Sequence, residues 1–194
     1  MGCIYMAERQ DDHPELELYV DVGNDETNAS VQALLATLPL DQTIERTLQA
    51  TGISEPVMLT LLITNDETIK DMNKQYRQLN KPTDVLSFPL LDRPLVNAPA
   101  EQLWQPQEGE EAAATETPFV TPPELVTNLG DIVISWPTVQ RQATEAGHSA
   151  DYELLYLLSH GVLHLIGYDD MSEAGYQAMV SIQQAVLQSL GQKA

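Results

Sequence analysis

One cysteine, Cys3, is all the sequence has, which excludes an internal disulfide framework and fits a reducing compartment. No apolar run approaches the roughly 18 residues that a membrane span needs. Met1 to Arg9 lack the basic start and apolar stretch of a secretory signal. Met1-Gly2-Cys3 invites N-terminal lipidation, but Met6 stands where the myristoylation pattern needs Ser or Thr. Met6 is also an alternative start. These absences predict a cytoplasmic protein with no membrane partner. Basic residues are scarce too: nine Lys and Arg face 29 Asp and Glu, a net charge of −20 that by itself argues against a nucleic-acid partner.

The acid is unevenly spread, and this weakens the argument from charge. Residues 1–30 hold eight acids and one base, Arg9, while residues 92–128 hold seven acids and one base, Arg93. Removing both stretches leaves 14 acids against seven bases, so the rest of the chain carries only about −7. Hydrophobic residues make up 43% of the 194, enough for one sizeable core. The organisation expected is a single domain over 14–190 behind an N-terminal extension, 1–13. Residues 92–128, acidic and proline-bearing with little periodicity, read as a flexible surface insertion.

Leu16, Leu18, Val20 and Val22 alternate with polar neighbours and predict a half-buried strand. Residues 30–51 predict helix, broken at Pro39 and stopped by Gly52. Val57 to Thr64 reads as a central strand. A helix capped by Asn65 or Asp66 follows, with Ile69, Met72, Tyr76 and Leu79 as its apolar stripe. Val85 to Leu91 reads as an edge strand because of Pro89, and Asp131 to Ser135 as another strand. Helices are expected from Pro137 to Gly147, from the Ser149 cap to Gly167, and from the Ser172 cap to Gly191. The second of these is apolar almost all round and so is expected to be buried.

That buried helix carries the chemistry. Its end reads His160-Gly161-Val162-Leu163-His164-Leu165-Ile166-Gly167-Tyr168-Asp169-Asp170. Two histidines four apart leave the same helix face. Gly167 can turn the chain back and offer Asp170 as a third ligand. Two His and one carboxylate, with a position open for water, is a catalytic zinc pattern. The alternative is a buried helix with two satisfied histidines. Burying two imidazoles among leucines without partners is costly, which favours a metal, one ion, over that alternative.

These residues resemble the signature of the YbeY family of bacterial endoribonucleases, His-Gly-x-Leu-His-Leu-x-Gly-Tyr-Asp-His, at every position but the last. Asn73, Tyr76 and Arg77, the block Lys81-Pro82-Thr83-Asp84-Val85-Leu86-Ser87-Phe88-Pro89, and Leu129-Gly130-Asp131-Ile132-Val133-Ile134 resemble further family blocks in family order. The resemblance implies an α+β, zinc-hydrolase-like fold, a small mixed β-sheet packed with helices. It implies a Zn2+ ion and single-strand-specific cleavage of RNA. It also implies a role in ribosomal RNA maturation, at the 16S 3′ end, and in ribosome quality control, with the small ribosomal subunit as partner and no nucleotide cofactor. Asp170 stands where the family has His.

Lys70, Lys74, Arg77 and Lys81 form one stripe if the helix runs that far. Alone they read as a solvated face. The resemblance makes Arg77 the catalytic arginine and the lysines RNA contacts, since a guanidinium can hold a phosphate bidentately. His148 reads as a loop residue rather than a substrate contact. Trp104 and Trp136 could stack on bases, but Trp136 reads rather as core or cap packing and Trp104 lies in the insertion, while Asp84 reads as fixing a turn. Ser87 lies in a matching block. Two rivals remain. The His spacing also resembles metzincin peptidases, but they place Glu directly after the first His, where this chain has Gly161. A non-catalytic ribosome-associated factor would use the basic face only for docking.

Overall fold

A computed structural model describes residues 2–4, 14–105 and 126–193 of the chain. Its strands are β1 (Gly2–Ile4), β2 (Glu15–Asp21), β3 (Val57–Thr64), β4 (Val85–Pro89) and β5 (Thr127–Ser135). Its helices are α1 (Asp25–Leu35), α2 (Leu40–Ala50), α3 (Asp66–Arg77), α4 (Trp136–Ala146), α5 (Ala150–Ile166) and α6 (Glu173–Ser189). The sheet order is β1-β2-β3-β5-β4. β2, β3 and β5 run parallel, and the two outer strands pair antiparallel. The architecture is α+β with a small mixed sheet, as expected.

The two faces of the sheet are buried against different helices. Leu59, Leu61 and Ile63 of β3 and Ile132 and Ile134 of β5 join a large cluster with residues of α1, α2, α4, α5 and α6. Val133, Leu86 and Leu62 point the other way and meet Ile69 of α3. The period of two along β3 and β5 therefore serves both faces, which is why these strands read as continuous apolar runs. Each fully buried Leu, Ile or Val contributes about 1.5–3 kcal/mol relative to exposure. α5, with eight such residues, is the best anchored helix.

Gly161 explains how closely α5 lies on the sheet. A Cβ there would stand 2.8 Å from Ile132 Cγ2 and 2.9 Å from its Cδ1. Glycine thus lets the helix backbone rest on β5.

Several expectations are corrected. Gly2–Ile4, read as part of an extension, is an edge strand with Cys3 opposite Tyr19. The first helix starts at Asp25, not near residue 30, because the Asn24 side chain accepts from Thr27 N at 2.9 Å. β5 starts at Thr127, not Asp131, paired with Val57.

Within the stretch 92–128 that reads as an insertion, residues 95–104 pack on the domain. Val96 is buried in the main core, with Leu95, Ala98 and Leu103 packed against it. Leu95 N and Val96 N donate to Ile166 O at 2.9 and 3.3 Å, and Trp104 N donates to Gly167 O at 3.0 Å. Residues 92–105 thus satisfy carbonyls that the end of α5 leaves unpaired. Residues 106–125 of the expected insertion lie outside the described residues.

Candidate metal centre

His160 and His164 emerge one turn apart near the end of α5, with ring centroids 4.6 Å apart. Their Nε2 atoms are 3.0 Å apart. Gly167, at φ +129°, ends the helix with Pro94 packed where a side chain would begin. The chain then returns. Asp170 places Oδ2 3.9 Å from His160 Nε2 and Oδ1 3.9 Å from His164 Nε2. One ligand atom from each of the three lies within 4.8 Å of the others. Zinc binds nitrogen and carboxylate oxygen at about 2.0–2.2 Å, so one cation reaches all three with small adjustments.

Proton positions support the fit. His164 Nδ1 is 3.0 Å from the carbonyl oxygen of Tyr168. A carbonyl only accepts, so Nδ1 carries the proton and Nε2 is bare. Burial pushes the His160 imidazole down to about 4, aided by neighbouring His164. Burial likewise lowers His164, against the pull of Asp170. Both rings are therefore neutral at pH 7, the form that ligates a metal.

The three open into a cleft of about 620 Å³, also lined by Arg77, Thr83, Asp84, Ser87, Tyr156 and Tyr176. α3 ends at Arg77, because Gln78 adopts a left-handed φ of 60°. The expected stripe therefore breaks. Lys81 lies beyond the helix, its carbonyl accepting from Asn73 Nδ2 at 2.9 Å. Among the described residues Arg77 is the basic residue that lines the cleft, and it forms no ion pair there. Lys70 and Lys74 stay on α3 outside it. The expected apolar stripe of α3 is half realised: Ile69 is buried, while Tyr76 is exposed and packs edge-on against Phe88 at 5.0 Å.

The family model for Endoribonuclease YbeY matches residues 21–191. Endoribonuclease YbeY of Dehalococcoides mccartyi is 38% identical over 151 residues, covering 78% of this chain and 85% of its own. The chain belongs to the YbeY endoribonuclease family. The Desulforamulus reducens relative is 38% identical over 170 residues, covering 88% of this chain and 95% of its own. That of Synechococcus sp. is 45% identical over 130 residues, covering 67% and 66%. The solution structure of a Thermotoga maritima protein aligns over 89% of this chain and 91% of its own, at 20% identity and a TM-score of 0.46.

Membership agrees with the position after the first histidine. Gly161 is packed on Ile132, so the glutamate that a metzincin-type peptidase carries there would meet the sheet. Among the described residues no helix is long and apolar enough to cross a membrane.

Other residues behave as partners of the site. Asp84 fixes the turn before β4, accepting from Val85 N at 2.8 Å, and Gln142 Nε2 reaches its other oxygen at 3.0 Å. His148 is more than a loop residue: its Nε2 is 3.1 Å from Glu153 Oε2, and burial raises the Glu153 carboxyl. Trp136 is buried at the start of α4. Trp104, assigned to the insertion, instead donates its indole N–H to His164 O at 3.2 Å. Its partner is a backbone carbonyl, so only a tryptophan within an acidic stretch could have signalled it. Gln183 of α6, buried and lining the cleft, also went unnoticed because it is one of many glutamines on an amphipathic helix.

Proposed function

We propose that this chain is a zinc-dependent, single-strand-specific endoribonuclease of ribosomal RNA maturation. It acts at the 16S 3′ end and in ribosome quality control, in the cytoplasm, with the small ribosomal subunit as partner. Family membership makes it an RNA-cleaving hydrolase. The observation that carries the reading is the convergence of His160, His164 and Asp170 on one point of a cleft that Arg77 also lines. Two nitrogens and a carboxylate suit zinc. A cation held there supplies Lewis acidity and lowers the pKa of water in contact with it.

The protein groups do the rest. Tyr168 O holds the His164 ring so that Nε2 faces the cleft. Arg77 meets the scissile phosphate and stabilises charge that grows on its oxygens. Tyr176, half exposed, and Tyr156 present ring surface along the cleft. Stacking a base on such a ring is worth about 1–3 kcal/mol. Bases in a duplex are already stacked and cannot take it, which favours single strands.

The test is cleavage of one RNA sequence, single-stranded and as a duplex, by zinc-loaded protein. The single strand is cut faster. Arg77→Ala loses about 2–4 kcal/mol of transition-state stabilisation, and Arg77→Lys recovers part of it because the charge remains without the planar fork. A zinc-loaded wild type that leaves the single strand intact contradicts the assignment and leaves a non-catalytic ribosome-associated factor.

A further inference from the structure

His164 has an evident orienting partner, the Tyr168 carbonyl. His160 needs one as well, because an imidazole that binds a cation through Nε2 carries its proton on Nδ1. Among the described residues no backbone carbonyl is bonded to that nitrogen. Lining the same cleft from α6 is Gln183, buried at 1% residue exposure.

The position of the Gln183 amide follows from its one clear bond. Its Nε2 donates to Tyr156 O at 3.2 Å. Tyr156 precedes His160 by four residues, so this carbonyl is the one that accepts the His160 backbone N–H within α5. The amide therefore sits at the level of His160. With Nε2 committed, the oxygen is left over, and it has no hydrogen-bond partner among the described residues. An orphaned buried amide oxygen is costly by about 1–3 kcal/mol. With Nε2 on the Tyr156 carbonyl, the oxygen is the end of the amide left to meet the ring.

We infer that Gln183 is the positioning residue of His160: its Oε1 accepts the Nδ1–H and holds Nε2 toward His164 and Asp170. The two histidines then have matched outer partners, a carbonyl from the return turn for one and a glutamine from α6 for the other. α6 is thereby tied to the metal centre without contributing a ligand. The inference rests on His160 as a metal ligand, and its readouts are separate from RNA cleavage.

Three zinc-loaded proteins test it: wild type, Gln183→Met, which keeps length and removes both polar atoms, and Gln183→Glu, which keeps an acceptor. Zinc affinity is read by chelator competition, and the His160 Nδ1–H by proton–nitrogen NMR. Outer partners of ligating histidines are worth about 10–100-fold in metal affinity. Gln183→Met is expected to lose that much and to leave the Nδ1–H exchanging with solvent. Gln183→Glu is expected to stay near wild type, with the Nδ1–H protected. A folded Gln183→Met protein with wild-type affinity and a protected Nδ1–H would overturn the inference. So would a glutamate variant that loses affinity, or a wild-type Nδ1–H in free exchange, should the methionine variant not fold. Loss of zinc binding to wild type itself, or full binding by His160→Ala, strikes instead at the ligand assignment.

Discussion

His164 gives its Nδ1–H to the carbonyl oxygen of Tyr168 across 3.0 Å, and Tyr168 lies two residues before Asp170. One turn thus fixes a ring and aims a carboxylate at the same point. Gly167 permits the turn, and Trp104 holds its approach through His164 O and Gly167 O. The end of α5 and residues 92–105 form one unit, which holds His160, His164 and Asp170 close together.

Asp170→His is expected to keep or strengthen zinc binding. The side chain is 39% exposed, which leaves room for a ring, and imidazole suits zinc. Chelator competition measures it. A large loss of affinity in a folded variant would mean that this pocket depends on the carboxylate.

Metal-free protein is expected to lose stability in acid through His160. Its folded pKa, about 4, lies below the ordinary 6.5, mainly because of burial and then His164. A depressed pKa means that the unfolded chain binds the proton first. The stability is therefore intact above about pH 6.5 and is lost as pH falls through about 4. The full effect is roughly 3 kcal/mol. Urea midpoints at several pH values, compared between wild type and His160→Asn, isolate it. Parallel pH profiles for the two would remove His160 as the cause.

Residues 92–105 are expected to be needed for the fold. Val96→Ala is expected to cost roughly 1–3 kcal/mol, and Trp104→Phe about 1 kcal/mol through the lost indole bond to His164 O. Thermal or urea unfolding checks both. Wild-type stability in both variants would restore the reading of this stretch as a loose insertion.

Gly161→Ala is expected to destabilise. Helix propensity alone favours alanine by about 1 kcal/mol, so any net loss reports the contact with Ile132. Overpacking of this kind typically costs about 1–3 kcal/mol. A gain in stability on denaturation would show that α5 can lift from β5.

The parts legible in the sequence are those with a period or a cap. Ser149 and Gly167 bracket α5, and the His160–His164 spacing is realised as two nitrogens 3.0 Å apart. Val57 to Thr64 could only be a central strand. The misreadings have backbone causes. Leu95, Val96 and Trp104 bond to carbonyls of α5, and a carbonyl acceptor leaves no residue pattern. Thr127 and Asn128 lack apolar alternation yet extend β5 by pairing with Val57 and Met58. Lys81 fell off the stripe because Gln78, not a glycine, takes the left-handed turn. Gln183 acquires meaning only once its unpaired oxygen is seen against α5.

The account stands most directly on one paired measurement: zinc content and single-stranded RNA cleavage of wild type and His164→Ala, prepared identically and checked for folding. Wild type is expected to hold about one zinc and to cut the RNA, and His164→Ala to do neither. A folded, zinc-free His164→Ala protein that cuts RNA at the wild-type rate would contradict the metal centre as the seat of the reaction.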